Sequence, residues 1–400
     1  MRVWRDLKSF VHIQGARTLL LTLFIYGIGT GILAPMNAIY LQDSVGLGKE
    51  EITSIFAISL FLNMITTISV GLISDKMKRK KQLPIIASLL CIIGLFLYMR
   101  ADSYSSALVG MILAVSPSGL IFGQLFAMAR NHFTNKAPAI VEIAQIWLRA
   151  TYSIGFFSGL LLGANLYLLA TFQGVLWGNL AGYGALCLLL ILYKEVTIDS
   201  SAQQTRSNVN EPFSLLMLLA ILLLSCSDAI RGLYLPLVVN ELFGDPRLMS
   251  YLWSIQAVFE LLFMTAAGYW AAKYGYKPII LLGSIFALGT YIVYSWSTSL
   301  TLFFVVQPIY SVFVSVLYGV GMGYVQRMFL HRAGFGASLY IFISQTATLI
   351  GYHLPLFIEG VTPNIFWIPA GLITLSMIIM IYVIVTNKSS HARHTHSPLR

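Results

Sequence analysis

The sequence predicts an all-α membrane protein with twelve transmembrane helices in two pseudo-symmetric six-helix halves. Three observations carry this. Apolar residues make up 58% of the chain and charged residues 10%, with a mean hydropathy of +0.79; soluble domains carry about 25% charged residues. The apolar runs are long. At about 20 residues per span, a chain of 400 residues holds about twelve spans and leaves no room for a large soluble domain. These runs alternate too little for the strands of a membrane barrel. Finally, the loop after the second span, beginning Gly71-Leu-Ile-Ser-Asp75-Lys76, is echoed after the eighth by Gly268-Tyr-Trp-Ala-Ala272-Lys273. Two such halves are the mark of secondary transporters, whose solute site lies near the midplane.

Taken in order, the first half, residues 1–193, has spans at 18–42, 51–73, 83–100, 105–129, 138–164 and 174–193. Residues 194–212 are polar and read as a linker. The second half, residues 213–386, has spans at 213–239, 248–272, 278–297, 300–326, 335–358 and 364–386. Residues 387–400 form a polar tail with His391, His394 and His396, read as a tail and not as a metal site.

The formal charge of +10 is a topology signal. Of the 25 Lys and Arg residues, 20 fall on the side of the termini, three (Lys49, Arg100 and Arg247) on the other side, and Arg149 and Arg231 lie inside spans. The bias puts both termini and the linker in the cytoplasm, and no nucleic-acid partner is needed to explain it. The basic N-terminal segment lacks a short apolar region with a cleavage site, so the first span is expected to be retained. Cys91, Cys187 and Cys226 lie in apolar runs without disulfide or zinc spacing.

Charged groups deep in a span are expensive in hydrocarbon and mark pathways or gates. The stretch from Phe213 to Lys277 carries three: Asp228, Arg231 and Glu260. Asp228 and Arg231 are three residues apart on one helix, so they share a face and are expected to pair locally. Asp228, Glu260 or both would carry a coupling proton, the less tightly paired being the better candidate. Arg149, about mid-span, wants a carboxylate or an anionic solute for its fixed fork of donors. Asn37, Asn63, Gln124, Gln256, Gln326 and Gln345 supply amides, and Tyr26, Tyr152, Tyr234, Trp147 and Trp253 supply ring faces. Such groups suit a hydroxyl-rich ligand, and each one singly also suits helix packing. Gly155, Gly159 and Gly163 line one face of the fifth span and allow a close helix neighbour. No catalytic constellation is present, and no phosphate-cradling glycine loop. The expectation is therefore no enzyme, no cofactor and no metal. Energy must come from an ion gradient, with protons favoured by the carboxylates in the spans.

Gly71, Asp75, Lys76, Arg79 and Lys80 resemble the signature loop of the major facilitator superfamily. Lys78 replaces the family's usual glycine, and the second copy has Ala272 in place of an acid. Within that superfamily the chain is similar to the sugar efflux transporter family of bacterial exporters. Three stretches carry the likeness: 123–130, ending in Arg130; 235–242, leading to Glu260; and 321–326 with Ala333-Gly334. The resemblance implies a major facilitator fold and a monomeric, multi-pass plasma-membrane exporter of a sugar-like solute, working by alternating access in exchange for protons. Drugs or a metal-chelating metabolite are the alternative cargo, and a non-transporting receptor the remote alternative. It assigns a gating role to Asp75, Lys76, Arg79, Lys80, Arg130 and Lys273; Glu142, about a turn into the fifth span, is read as a helix-start or gate residue. It also sets spans five and eight face to face, which would let Arg149 pair with Glu260 in one state.

That pairing makes a prediction. In a double-mutant cycle of transport, the losses from Arg149→Ala and Glu260→Gln should be strongly non-additive; purely additive losses remove the pairing.

Overall fold

The computed structural model describes residues 13–74, 80–137, 141–195, 211–329 and 333–394. Asp75, Lys76 and Arg79 of the signature loop lie outside the described residues, as do most of the linker and the last six residues of the tail. Among the described residues the fold is entirely helical. Helices α1 (Ala16–Leu33) and α2 (Asn37–Asp43) make up the first predicted span. There follow α3 (Lys49–Ser74), α4 (Gln82–Tyr98), α5 (Tyr104–Val115), α6 (Ser118–Lys136) and α7 (Val141–Leu192). The second half has α8 (Leu215–Phe243), α9 (Arg247–Tyr274), α10 (Tyr276–Trp296) and α11 (Leu300–Ser315). A π-helical segment, Val316–Gly321, leads into α12 (Met322–Met328), then α13 (Ala333–His353) and α14 (Trp367–His394).

Within the described residues, each of the twelve predicted segments falls mostly on helix. By length and composition nine described stretches are apolar enough to cross a membrane, and one of them, Trp147–Leu192, contains a break. The shorter α4 is also apolar. The break corrects the expected boundaries. The sequence reading placed a loop at 165–173, whereas α7 is helical up to a turn at Ala170 (φ −150°, ψ 28°) and Thr171 (φ 51°, ψ −148°). Leu166, Leu168 and Leu169 are good helix formers and extend the first arm. Across the turn the rings of Tyr167 and Phe172 meet edge to face at 4.9 Å. The fourth span is likewise longer than expected, with its break between α5 and α6 at Ser116-Pro117, where proline cannot supply a backbone donor.

The chain divides into two compact units, residues 1–203 with 245–254, and residues 204–244 with 255–400. In the first, α1 packs along α7 at backbone distance, and α4 packs against α5 and α7. A side chain at Gly155, Gly159 or Gly163 would run into the carbonyl oxygens of Phe24, Ile28 and Ile32 in turn. Gly27 and Gly31 of α1 answer in kind, against the carbonyls of Tyr152 and Phe156. The glycine stripe of the fifth span is therefore spent on packing against the first. In the second unit α8 packs against α13 and α14, and α10 against α11 and α14. All three cysteines are buried free thiols.

Replacing Gly159 by valine should lower stability by about 1–3 kcal/mol, the range for overpacking, or abolish folding. Gly184→Ala, a site with open space around it, should leave the thermal midpoint in detergent unchanged. Equal melting of the two variants would contradict the packing assignment.

Candidate functional site

One turn of α8, Ser227-Asp228-Ala-Ile-Arg231, places an acid and a base inside an otherwise apolar helix. Asp228 is half-buried and Arg231 is 3% exposed. They do not turn to each other as the i, i+3 spacing led us to expect. Asp228 instead accepts two tyrosine hydroxyls, Tyr310 at 2.6 Å on Oδ1 and Tyr318 at 2.5 Å on Oδ2. Arg231 donates Nη2 to Gln307 Oε1 at 2.7 Å, and its guanidinium lies 3.9 Å over the ring of Tyr310. Tyr310 thus stands between the two charges, with its ring under the cation and its hydroxyl on the anion. Among the described residues Arg231 Nε has no hydrogen-bond partner.

A second layer holds these groups. Gln307 donates Nε2 to the Tyr294 hydroxyl at 2.8 Å and to the Phe303 carbonyl at 2.7 Å, which fixes its Oε1 towards Arg231. The Tyr291 hydroxyl lies 2.9 Å from that of Tyr310 and 2.8 Å from the Ser227 carbonyl. Ser311 and Ser315 donate to the carbonyls of Gln256 and Glu260, both at 3.0 Å, and so tie α11 to α9. The π-helical segment explains how two tyrosines eight residues apart reach one carboxylate. At 3.6 residues per turn Tyr318 would sit roughly 80° around the helix from Tyr310. The wider π turn at 316–321 closes part of that angle. Tyr340 then donates to the Leu317 carbonyl within this segment at 2.7 Å.

The Lys/Arg-rich end carries a separate set of contacts. Glu195, just beyond α7, accepts the backbone amides of Lys80 at 2.6 Å and Lys81 at 3.3 Å, at the start of α4. A carboxylate there meets orphan amides and the positive end of the helix. Lys81 Nζ donates to the Tyr193 carbonyl at 3.0 Å. The Tyr193 hydroxyl is 2.9 Å from His132 Nδ1. His132 Nε2 is 2.8 Å from the Gln14 carbonyl, which can only accept, so Nε2 carries the hydrogen and Nδ1 accepts from Tyr193. In the second unit Glu211 has an analogous place, 3.5 Å from Lys277 Nζ, with its amide on the Arg327 carbonyl.

The predicted residues distribute unevenly. Asp228 and Arg231 lie in one network, and Glu260 and Gln256 are half-buried on α9 beside α11. Gln345 is half-buried on α13. Arg149 on α7 and Arg130 at the end of α6 are exposed. Lys273 is exposed, with Nζ 4.9 Å from the Tyr274 ring. Asn37 accepts from the Tyr98 hydroxyl at 2.7 Å and faces Met111 Sδ at 3.5 Å, both within the first unit. Asn63 donates to the carbonyls of Val115 and Ser116 at the α5–α6 break. The Glu142 side chain lies outside the described ones. Sequence reasoning missed Tyr291, Tyr294, Gln307, Tyr310, Tyr318 and Glu195. Two pairs at i, i+3, Tyr291 with Tyr294 and Gln307 with Tyr310, were the available signal: hydroxyls and an amide on one face inside apolar helices.

Comparison with known proteins places the chain in a family. Residues 19–220, and again 217–399, match the Major Facilitator Superfamily. The chain belongs to that superfamily. Sugar efflux transporter C of Escherichia coli is 23% identical over 386 residues, covering 92% of this chain and 95% of its own. Sugar efflux transporter A of Dickeya chrysanthemi is 24% identical over 365 residues, covering 88% and 89%. Among solved structures, nucleoside transporter NupG superposes with a TM-score of 0.76 at 12% identity, covering 93% of this chain and 98% of that one. A POT family transporter in complex with 5-aminolevulinic acid gives 0.75 at 14% identity, covering 94% and 96%. At those identities the solved structures establish the fold alone. This major facilitator protein is a multi-pass membrane transporter of a small molecule, and the relatives it matches are transporters and not enzymes.

The second layer makes a prediction of its own. Gln307→Leu leaves Arg231 and the Tyr294 hydroxyl short of a partner, and should cost about 1–3 kcal/mol of stability. Gln307→Glu, which keeps an acceptor for the guanidinium, should melt closer to the parent. Thermal unfolding in detergent reads both, and a leucine variant as stable as the parent would show that the amide holds nothing.

Proposed function

We propose that this protein exports a small polar solute, a sugar or sugar-like molecule, across the plasma membrane by alternating access in exchange for protons. The observation that carries the reading is the likeness to curated relatives named sugar efflux transporters over nine-tenths of the chain. The charge bias supports cytoplasmic termini and a cytoplasmic linker. Proton exchange is supported by Asp228 and Glu260 in the second half, and by the lack of a nucleotide-binding loop in the sequence.

In this reading Asn37 and Asn63 hold helices, since Tyr98, Met111 and backbone carbonyls occupy their amides. Gln256, whose buried Oε1 has no partner among the described residues, and the half-buried Gln345 are the better solute contacts. Hydroxyl-rich solutes need such preplaced acceptors and donors in an otherwise apolar wall.

Purified protein in liposomes, with a pH-sensitive dye inside, tests the reading. A sugar should move against an imposed proton gradient, and a protonophore should abolish its accumulation. Movement of cationic dyes or amino-acid-derived chelators, with none of sugars, would transfer the reading to another cargo. Binding without flux would make the protein a receptor.

A further inference from the structure

The chain of contacts from Ser227 to Tyr318 can be counted in hydrogens. There are four: Tyr318 with Asp228 Oδ2, Asp228 Oδ1 with Tyr310, Tyr310 with Tyr291, and Tyr291 with the Ser227 carbonyl. The three tyrosines bring three hydroxyl hydrogens, and the carbonyl brings none. With Asp228 ionised, Tyr318 and Tyr310 both donate to the carboxylate. Their spacings of 2.5 and 2.6 Å suit charge-assisted bonds. Tyr291 then has one hydrogen for two neighbours, so one contact of the four goes unserved. One added proton on Oδ1 completes the set. Asp228 donates to Tyr310, Tyr310 to Tyr291, Tyr291 to the Ser227 carbonyl, and Tyr318 still donates to Oδ2.

We infer that Asp228 is the group that takes up and gives up the transported proton, with Tyr310 and Tyr291 as a rotating hydroxyl relay. This rests on the antiport reading above and names its proton site. The exchange balances. Release removes the hydrogen from Oδ1 to water, and Tyr310 and Tyr291 each turn one hydroxyl so that Tyr310 donates to Oδ1 and Tyr291 to Tyr310. The Ser227 carbonyl loses a donor but remains an acceptor within its helix. No covalent bond other than the acid O–H is broken, and no heavy atom has to leave its place.

A second observation concerns the charge left behind. Arg231 sits one turn along the same helix, and its buried Nε–H has no partner among the described residues. Its Nη2 and ring face are already committed to Gln307 and Tyr310. An arginine with one donor held back is placed to balance an ionised Asp228 without trapping it in a permanent ion pair. The other ionisable groups around the site are few. Among the described residues they include Tyr291 and Tyr294 from α10, Tyr310 from α11, Tyr318 from the π segment, Glu260 from α9, Tyr340 and Tyr352 from α13, and Tyr234 on α8 itself. Before Lys388 the sequence of α14 carries no carboxylate, histidine, lysine or arginine, and its one tyrosine there is Tyr382. Asp228 is the carboxyl group bonded directly into the tyrosine chain.

Asp228→Asn is the test, because an amide can donate to Tyr310 and accept from Tyr318 and so imitates the protonated acid at all pH values. Full-length protein in liposomes is challenged with solute while proton release is followed, and difference infrared spectra are recorded between low and high pH. The parent should show solute-triggered release and the C=O band of a carboxylic acid that disappears as pH rises. Asp228→Asn should melt like the parent, lose the release and lose that band, whereas Glu260→Gln should keep the band. Tyr310→Phe should keep an acid band at a shifted frequency, because the acid loses its acceptor. If Asp228→Asn retains both the release and the band, the assignment to Asp228 is wrong. If the parent releases no proton with any solute but the band still vanishes in Asp228→Asn, the antiport reading fails while the proton site stands.

Discussion

A buried guanidinium and a half-buried carboxylate on one membrane helix must find partners or water, because hydrocarbon offers neither. This requirement shapes the second unit. Arg231 calls for an acceptor, and Gln307 is held in place to be one by Tyr294 and the Phe303 carbonyl. Asp228 calls for donors, and the π-helical segment delivers Tyr318 to the same carboxylate that Tyr310 reaches. The irregularities of α11, an internal Pro308 and the π turn after Ser315, flank this contact. They are local departures from ideal helix at the point where polar groups converge, as π turns often are.

The two units solve the same packing problem with different chemistry. In the first, the pair α1–α7 is brought to backbone contact by seven glycines, and its Tyr26 and Tyr152 lie within ring contact of each other and of Phe122 on α6. In the second, the corresponding pair is α8 with α13, where Gly351 sits against the Cys226 carbonyl two residues before Asp228. One glycine replaces the stripe, and side-chain hydrogen bonds supply the rest of the fit. The ends of the linker repeat the theme. Glu195 caps the start of α4, and Glu211 stands beside Lys277 at the start of α10. Such exposed or half-exposed contacts contribute about 0–1 kcal/mol each, so their effect is to fix helix ends.

Most of the fold was legible because it rests on composition and run length, which are local properties. The positions of Asp228, Arg231 and Glu260 were legible for the same reason: a charge in an apolar run is conspicuous. Their partners were not. The i, i+3 spacing says that Asp228 and Arg231 share a face, but not that tyrosines 82 and 90 residues away compete for the carboxylate and win. Tyr291 and Tyr310 look like ordinary aromatic residues of a span until a neighbouring helix gives their hydroxyls a use. The Ala170–Thr171 turn was missed because neither residue is a usual turn former; Thr171 adopts a positive φ that its branched side chain disfavours. For Asn37 and Asn63 the sequence leaves solute contact and helix packing open, since an amide in a span carries no label saying which helix it will bind.

Energetics connects the network to transport. Replacing a buried ionic group and its partners by well-packed apolar residues is often neutral or stabilising. An α8 with leucines at 228 and 231 would need no Gln307, no π turn and no hydroxyl chain, so stability alone does not account for them. What the polar arrangement has, and an apolar one lacks, is two hydrogen-bonding patterns on nearly the same heavy-atom positions. A small difference in free energy between such patterns is enough for a proton or a solute to shift the balance. A network that was merely structural would be expected to satisfy every donor. This one leaves Arg231 Nε unmatched among the described residues and one tyrosine contact short of a hydrogen.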